Sequence, residues 1–200
     1  MNIPRAAAAA LAAAVLLLLC ACDALFAPKT PFKGVDVTGS AIGGELRLAD
    51  QNGRARSLAD FRGKVVVVSF GYTHCPDVCP TTLADLSAAV KQLGADAARV
   101  QILFVTVDPK RDTPELLRQY LPAFNADFLG LSGDVEATAK VTRDFHVYAQ
   151  ERPGKSADSY TVDHSAQTFV FDREGRIRLV LAYGSAPADI ASDLRILLQS

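Results

Sequence analysis

Two kinds of apolar pattern follow one another along the chain. The segments Val65–Phe70 and Val100–Val107 are runs of apolar and β-branched residues, which are typical of strands buried on both faces. Between these two runs, apolar residues recur at helical spacing, at Leu83, Leu86, Ala89, Val90 and Leu93. The pattern therefore predicts two neighbouring buried strands with a helix between them, which is the connection expected for parallel strands.

The remaining patterns extend this unit into an α/β domain. Gly44–Leu48 and Arg54–Leu58 flank Asn52-Gly53, which predicts an added N-terminal β-hairpin. The other predicted strands are Asp127–Leu131, Thr168–Phe171 and Ile177–Ala182, and the other predicted helices are Asp112–Phe124, Asp134–Phe145 and Pro187–Leu198. This order predicts a thioredoxin-like fold, with a mixed central sheet flanked by helices. Ligands of such sheets bind at the carboxyl ends of the strands.

The N-terminal segment has a different pattern. Ala6–Leu19 contains only Ala, Leu and Val, and its length suits the core of a signal peptide rather than a transmembrane helix. The run ends in Cys20-Ala21-Cys22, which resembles a bacterial lipoprotein processing site and implies a lipid on Cys22. An uncleaved signal anchor is the alternative. We therefore expect a signal peptide at residues 1–22, a linker at 23–40 and the thioredoxin-like domain at 41–200.

This organisation places the domain outside the cytoplasm, anchored to the periplasmic face of a bacterial inner membrane. Hydrophobic residues make up 50% of the chain and charged residues 22%, as expected of a globular protein. A formal net charge of -1 argues against a nucleic-acid partner. We take a monomer as the default state.

Two cysteines lie in the loop after the first buried strand. Cys75 and Cys79 are spaced C-x-x-x-C, one residue longer than the redox motif C-x-x-C. The spacing brings the sulfurs near one another, so they are able either to form a disulfide or to bind one soft metal ion such as Cu(I) or zinc. Cys79 stands beside a predicted helix start, where the helix dipole is expected to lower its pKa.

Two thiolates alone are a common minimum for such a metal, and one imidazole would complete a three-ligand site. His164 precedes the strand Thr168–Phe171, and Asp163 is expected to orient its ring. Asp77, Asp108 and Arg111 are expected to support the site or to contact a partner, with turn and cap chemistry as the alternative. His146 is expected to lie at a helix end.

Three motifs identify the chain as similar to a known family. The segments Val67–Pro80, Val107–Pro114 and Asp163-His164-Ser165 closely resemble the Sco/SenC copper proteins, and the resemblance covers residues 35 to 198. It implies that Cys75, Cys79 and His164 ligate copper, as Cu(I) and in some members also as Cu(II). His74 matches a position that the family tolerates but does not use as a ligand.

The resemblance also implies a function. Sco/SenC proteins help to build the dinuclear copper site of cytochrome c oxidase, by copper delivery, by reduction of the target cysteines, or by both. The implied partners are the copper-site subunit of the oxidase and a copper donor of unknown identity. The alternative is a thiol-disulfide oxidoreductase or peroxidase acting through Cys75 and Cys79, in which His164 is incidental. A structural disulfide between the two cysteines is a further alternative.

Overall fold

The computed structural model describes residues 30–155 and 159–200. Within them lie ten strands: β1 Val35–Asp36, β2 Arg47–Asp50, β3 Ala55–Ser57, β4 Val65–Gly71, β5 Val100–Thr106, β6 Leu129–Ser132, β7 Ala149–Arg152, β8 Thr161–His164, β9 Thr168–Phe171 and β10 Ile177–Leu181. The same residues form four α-helices: α1 Val78–Gln92, α2 Pro114–Tyr120, α3 Val135–Asp144 and α4 Pro187–Gln199. Short 3-10 turns occupy Leu58–Phe61, Gly94–Arg99 and Leu121–Ala123.

An eight-stranded mixed sheet forms the centre of the domain. Its strand order is β1-β10-β9-β4-β5-β6-β2-β3. The central strands β4 and β5 are parallel, in register from Val65 opposite Val100 to Gly71 opposite Thr106, and every residue of both is buried. Strand β9 pairs antiparallel with the other side of β4. These features confirm the predicted thioredoxin-like α/β fold.

The helices and an aromatic cluster fill the core. Helix α1 packs against α4, and α4 also contacts β4. Phe145, at the end of α3, packs edge-to-face on Phe70 and Phe169, with ring centroids 5.1 and 5.3 Å apart. This packing fixes β4, and with it the point from which the cysteine loop departs.

The predicted hairpin is part of the main sheet. Strands β2 and β3 pair antiparallel, and β2 also pairs with β6. The chain turns at Gly53, whose φ of 77° is in the left-handed region that glycine adopts without strain. The Asn-Gly turn predicted from sequence is confirmed.

The domain begins earlier than residue 41. Val35–Asp36 pairs with β10, and the backbone N–H groups of Lys33 and Gly34 each donate to the buried Asp193 carboxylate at 2.8 Å. Residues 32–40, which were predicted to be part of the linker, therefore belong to the compact unit Phe32–Ser200. The predicted signal peptide and Cys22 lie outside the described residues. In the described part of the chain, none of the helices combines the length and apolar character needed to span a membrane.

Candidate metal and thiol site

The cysteine loop leaves the carboxyl end of β4. Helix α1 begins at Val78 with Asp77 as its N-cap, so Cys79 lies in the first helical turn. Pro80 is the third residue of this helix. The Cys79 N–H lies 3.4 Å from the Cys75 sulfur, and both cysteines are free thiols. The loop thus places the two cysteine side chains next to each other without a disulfide bond between them.

The second half of the site comes from a separate two-stranded sheet. Strands β7 and β8 pair antiparallel, and His164 is the last residue of β8. Its Nε2 atom lies 3.3 Å from the Cys79 sulfur, although the two residues are 85 positions apart in sequence. Protein ligands bind metal ions such as zinc at about 2.0 Å through nitrogen and about 2.3 Å through sulfur. One ion is therefore able to contact both atoms.

The third donor of the predicted set is adjacent. Cys79 is only 3% exposed, whereas Cys75 and His164 are half-buried. Among residues 30–155 and 159–200, no three His, Cys, Asp or Glu side chains are gathered in a metal-binding arrangement. Cys79 and His164 thus form the close pair, and the Cys75 sulfur lies beside it through its contact with the Cys79 N–H.

The backbone, not Asp163, orients the histidine ring. His164 Nδ1 lies 3.1 Å from the Val162 carbonyl oxygen. Because a carbonyl only accepts, the contact places the ring proton on Nδ1 and leaves the Nε2 lone pair toward Cys79. Asp163 is exposed and pairs with Arg152 at 2.7 Å, so its predicted role is wrong. The Tyr72 ring packs edge-on against His164, with centroids 5.8 Å apart.

The predicted lowering of the Cys79 pKa is also wrong. Burial raises the pKa of this thiol, and it outweighs the lowering effect of a backbone hydrogen bond from Tyr72. The helix start contributes less than the removal of water from the sulfur. Cys79 is therefore a neutral thiol before metal binding, and an incoming ion must displace its proton.

A buried carboxylate secures the cysteine loop. Asp112 is 1% exposed and accepts hydrogen bonds from the Thr73 N–H at 3.0 Å, the Thr73 hydroxyl at 2.6 Å and the Thr106 hydroxyl at 2.7 Å. Burial raises its pKa. Sequence reasoning placed Asp112 at a helix start, but Thr113 is the N-cap of α2. The sequence feature that could have pointed to this role is the position of Asp112 within the family motif Val107–Pro114.

Asp108 and Arg111 border the site through Tyr160. Arg111 Nε donates to Asp108 at 2.5 Å, and the Tyr160 hydroxyl donates to the other Asp108 oxygen at 2.7 Å. Arg111 Nη1 donates to the Tyr160 carbonyl at 2.9 Å. Since Tyr160 immediately precedes β8, this network lies next to the strand that carries His164.

The other sequence candidates have peripheral positions. Asp77 is exposed and makes no side-chain cap hydrogen bond. His74 is exposed, and its Nδ1 lies 3.1 Å from the Thr73 hydroxyl. His146 follows the end of α3 with a φ of 53°, which confirms its placement at a helix end.

The fold and the site define a class of protein: a thioredoxin-like domain with two cysteines and one histidine at the carboxyl edge of its sheet. The SCO1/SenC family model matches residues 36–199. The chain therefore belongs to the SCO1/SenC family, as its three motifs predicted.

Individual relatives agree with this assignment. The chain is 34% identical over 176 residues to the SCO2-like protein of Rickettsia felis, covering 86% of each chain. It is 42% identical over 139 residues to the mitochondrial SCO2 homolog of Bos taurus, but this covers 68% of our chain and 52% of the bovine protein. The chain thus spans about half of that relative. Among solved structures, Bradyrhizobium japonicum ScoI with copper bound is 44% identical, with a TM-score of 0.74 over 79% of this chain and 100% of ScoI.

Proposed function

We propose that this protein binds one copper ion through Cys75, Cys79 and His164 and carries it as cargo. The observation that carries the proposal is the 3.3 Å approach of the Cys79 sulfur to His164 Nε2. Two thiolates and one imidazole suit Cu(I), and the imidazole also suits Cu(II). The copper-bound ScoI structure supports the proposal, because it shares this fold at 44% identity.

The uneven burial of the ligands suits a carrier. Cys79 is buried, while Cys75 is half-buried on a surface loop. An incoming thiolate is able to reach the ion from the Cys75 side and replace the ligands one at a time. We infer that the acceptor is the copper-site subunit of cytochrome c oxidase, as the family resemblance implies. A separate donor loads the ion, and a lipid on Cys22 anchors the chain at the periplasmic face of the membrane.

Thiol reduction is the second candidate function. Its specific support is the free, adjacent thiol pair, in which the Cys79 N–H contacts the Cys75 sulfur. In this reaction the Cys75 thiolate attacks a disulfide of the target and releases one target thiolate. Cys79 then resolves the mixed disulfide, so that two electrons pass to the target and a Cys75–Cys79 disulfide remains. An external dithiol must restore the pair. This reaction does not need His164.

Replacing His164 separates the two functions. In an anaerobic competition titration against a chromophoric Cu(I) chelator, we expect His164→Ala to weaken Cu(I) binding at least about tenfold, because one of three ligands is lost. The same variant should still form the Cys75–Cys79 disulfide on mild oxidation. His74→Ala is the matched control, because it removes an exposed imidazole one residue from Cys75, and it should change the affinity less than about twofold. Equal Cu(I) affinity in the wild type and His164→Ala would leave thiol reduction as the better account.

A further inference from the structure

We propose that residues 108–112, which we call the clamp segment, hold the two halves of the site together and so set the distance between His164 and Cys79. This inference rests on the proposed copper site. The clamp segment follows β5 and lies within the motif Val107–Pro114, to which the proposed function gives no role. Its residues act as positioning residues, because they contact the supports of the ligands rather than the ion.

The first contact of the clamp segment is with the cysteine loop. Asp112 accepts both the N–H and the hydroxyl of Thr73, two residues before Cys75. It is also tied to the end of β5 through the Thr106 hydroxyl, at 2.7 Å. Because this carboxylate is 1% exposed and meets three donors, the bonds have little competition from water. The start of the cysteine loop is therefore fixed to the rigid centre of the sheet.

The second contact is with the strand that carries His164. Asp108 and Arg111 both bind Tyr160. Asp108 accepts a hydrogen bond from the Tyr160 hydroxyl at 2.7 Å, and Arg111 donates one to the Tyr160 carbonyl at 2.9 Å. The Arg111 guanidinium also lies 3.6 Å from the centroid of the Tyr160 ring. The Arg111–Asp108 pair is largely buried, with side-chain exposures of 17% and 1%. Lys110 adds an outer ion pair to Glu151 of β7, at 2.5 Å.

The β7–β8 hairpin needs such a support. It forms its own two-stranded sheet, outside the eight-stranded one, and all four residues of β7 are exposed. An isolated two-stranded hairpin is marginally stable in water. The position of His164 therefore depends on contacts between the hairpin and the body of the domain. The clamp segment supplies several of them, and Arg111 also lies 5.7 Å from the ring centroid of Tyr72, which packs on His164.

This arrangement has a consequence for affinity. The apparent affinity for a metal ion is the intrinsic affinity multiplied by the fraction of molecules in which the ligands are in place. Loosening the clamp lowers that fraction although every ligand is still present. A loss caused by loosening the contacts of Asp108 and Arg111 with Tyr160 must pass through His164, so it disappears when His164 has already been removed.

The test is a double-mutant cycle on the full-length, reduced protein, with Cu(I) and a chromophoric chelator as the probe. We expect Arg111→Ala to lower the Cu(I) affinity about tenfold in the wild-type background, the low end of what outer supports of metal ligands contribute. In the His164→Ala background it should change the affinity less than about twofold. Arg56→Ala is the matched control. Arg56 donates through Nε to buried Asp50 at 2.8 Å with the same 17% exposure, but it lies in the β2–β3 hairpin at the far edge of the sheet. It should leave Cu(I) affinity unchanged.

Three results would contradict the proposed role of the clamp segment. They are an unchanged affinity in Arg111→Ala, an equal loss in both backgrounds, or an equal loss in Arg56→Ala. If Arg111→Ala does not fold, Tyr160→Phe takes its place. This change removes only the hydroxyl that donates a hydrogen bond to Asp108. It should lower the Cu(I) affinity about threefold, again only when His164 is present. Failure of the proposed function gives a different pattern, in which the wild type and His164→Ala bind Cu(I) equally.

Discussion

Cys79→Ser is expected to lower the Cu(I) affinity at least about a hundredfold, the largest effect of any single change in the chain. Cys79 is the central donor, because its sulfur lies 3.3 Å from His164 and its N–H contacts the Cys75 sulfur. Serine offers a hard hydroxyl that a soft ion such as Cu(I) does not favour. The measurement is the anaerobic competition titration, accompanied by thermal unfolding to confirm that the variant folds.

The matched control for this variant is Ala89→Ser. Ala89 is a fully buried residue of the same helix α1, so its replacement also places a hydroxyl in the core, but it has no part in the proposed site and should leave Cu(I) affinity unchanged. An undiminished affinity in Cys79→Ser would show that the ion binds elsewhere. A comparable loss in Ala89→Ser would mean that a buried hydroxyl in α1, rather than the lost sulfur, lowers the binding.

Gly71→Ala is expected to have the second-largest effect, although it removes no ligand. A Cβ atom on Gly71 would lie 2.6 Å from the Cys79 sulfur and 2.8 Å from the Phe104 ring. Phe104 is fully buried in the core, so the sulfur is the atom that must move. We expect Cu(I) affinity to fall at least about tenfold, and the free energy of unfolding to fall by about 1–3 kcal/mol through overpacking.

Gly130→Ala separates these two effects. Its Cβ would lie 2.8 Å from Leu121 and 3.0 Å from Leu117, a similar crowding in strand β6 and away from the cysteines. It should lower the thermal stability comparably and leave Cu(I) affinity within about twofold of the wild type. Wild-type affinity in Gly71→Ala would show that the position of the Cys79 sulfur does not limit metal binding.

The central strands were predictable because their burial dictates their composition. The runs Val65–Phe70 and Val100–Val107 are mostly apolar, since both faces of these strands are covered. The cysteine loop follows directly from the end of the first strand. The position of the two cysteines at the carboxyl edge of the sheet could therefore be predicted from the sequence. Their proposed partner, His164, was identified from the family resemblance.

The β7–β8 hairpin was not predictable in the same way. All four residues of Ala149–Arg152 are exposed, so this strand has no apolar alternation to reveal it. Without β8, the role of Asp163 was misjudged. Neighbouring residues of a strand point to opposite faces, so Asp163 points away from the side of His164 and pairs with Arg152 instead.

The contacts of the clamp segment depend on distant parts of the chain. Asp112 accepts from Thr73, 39 residues away, and Asp108 accepts from Tyr160, 52 residues away. Local sequence assigns such residues to turns and caps, and only the fold brings their partners together. The pKa of Cys79 is a second property that local sequence could not predict. The helix start, which was expected to lower this pKa, was visible in the sequence, whereas the burial that raises the pKa was not.

Copper K-edge X-ray absorption of the Cu(I)-loaded, reduced protein tests the central claim most directly, because it identifies the atoms bound to the ion. A site formed by Cys75, Cys79 and His164 predicts two sulfur neighbours and one imidazole nitrogen, with the nitrogen lost in His164→Ala and retained in His74→Ala. A spectrum with sulfur neighbours alone in the wild type, or one that His164→Ala does not change, would contradict a three-ligand copper site.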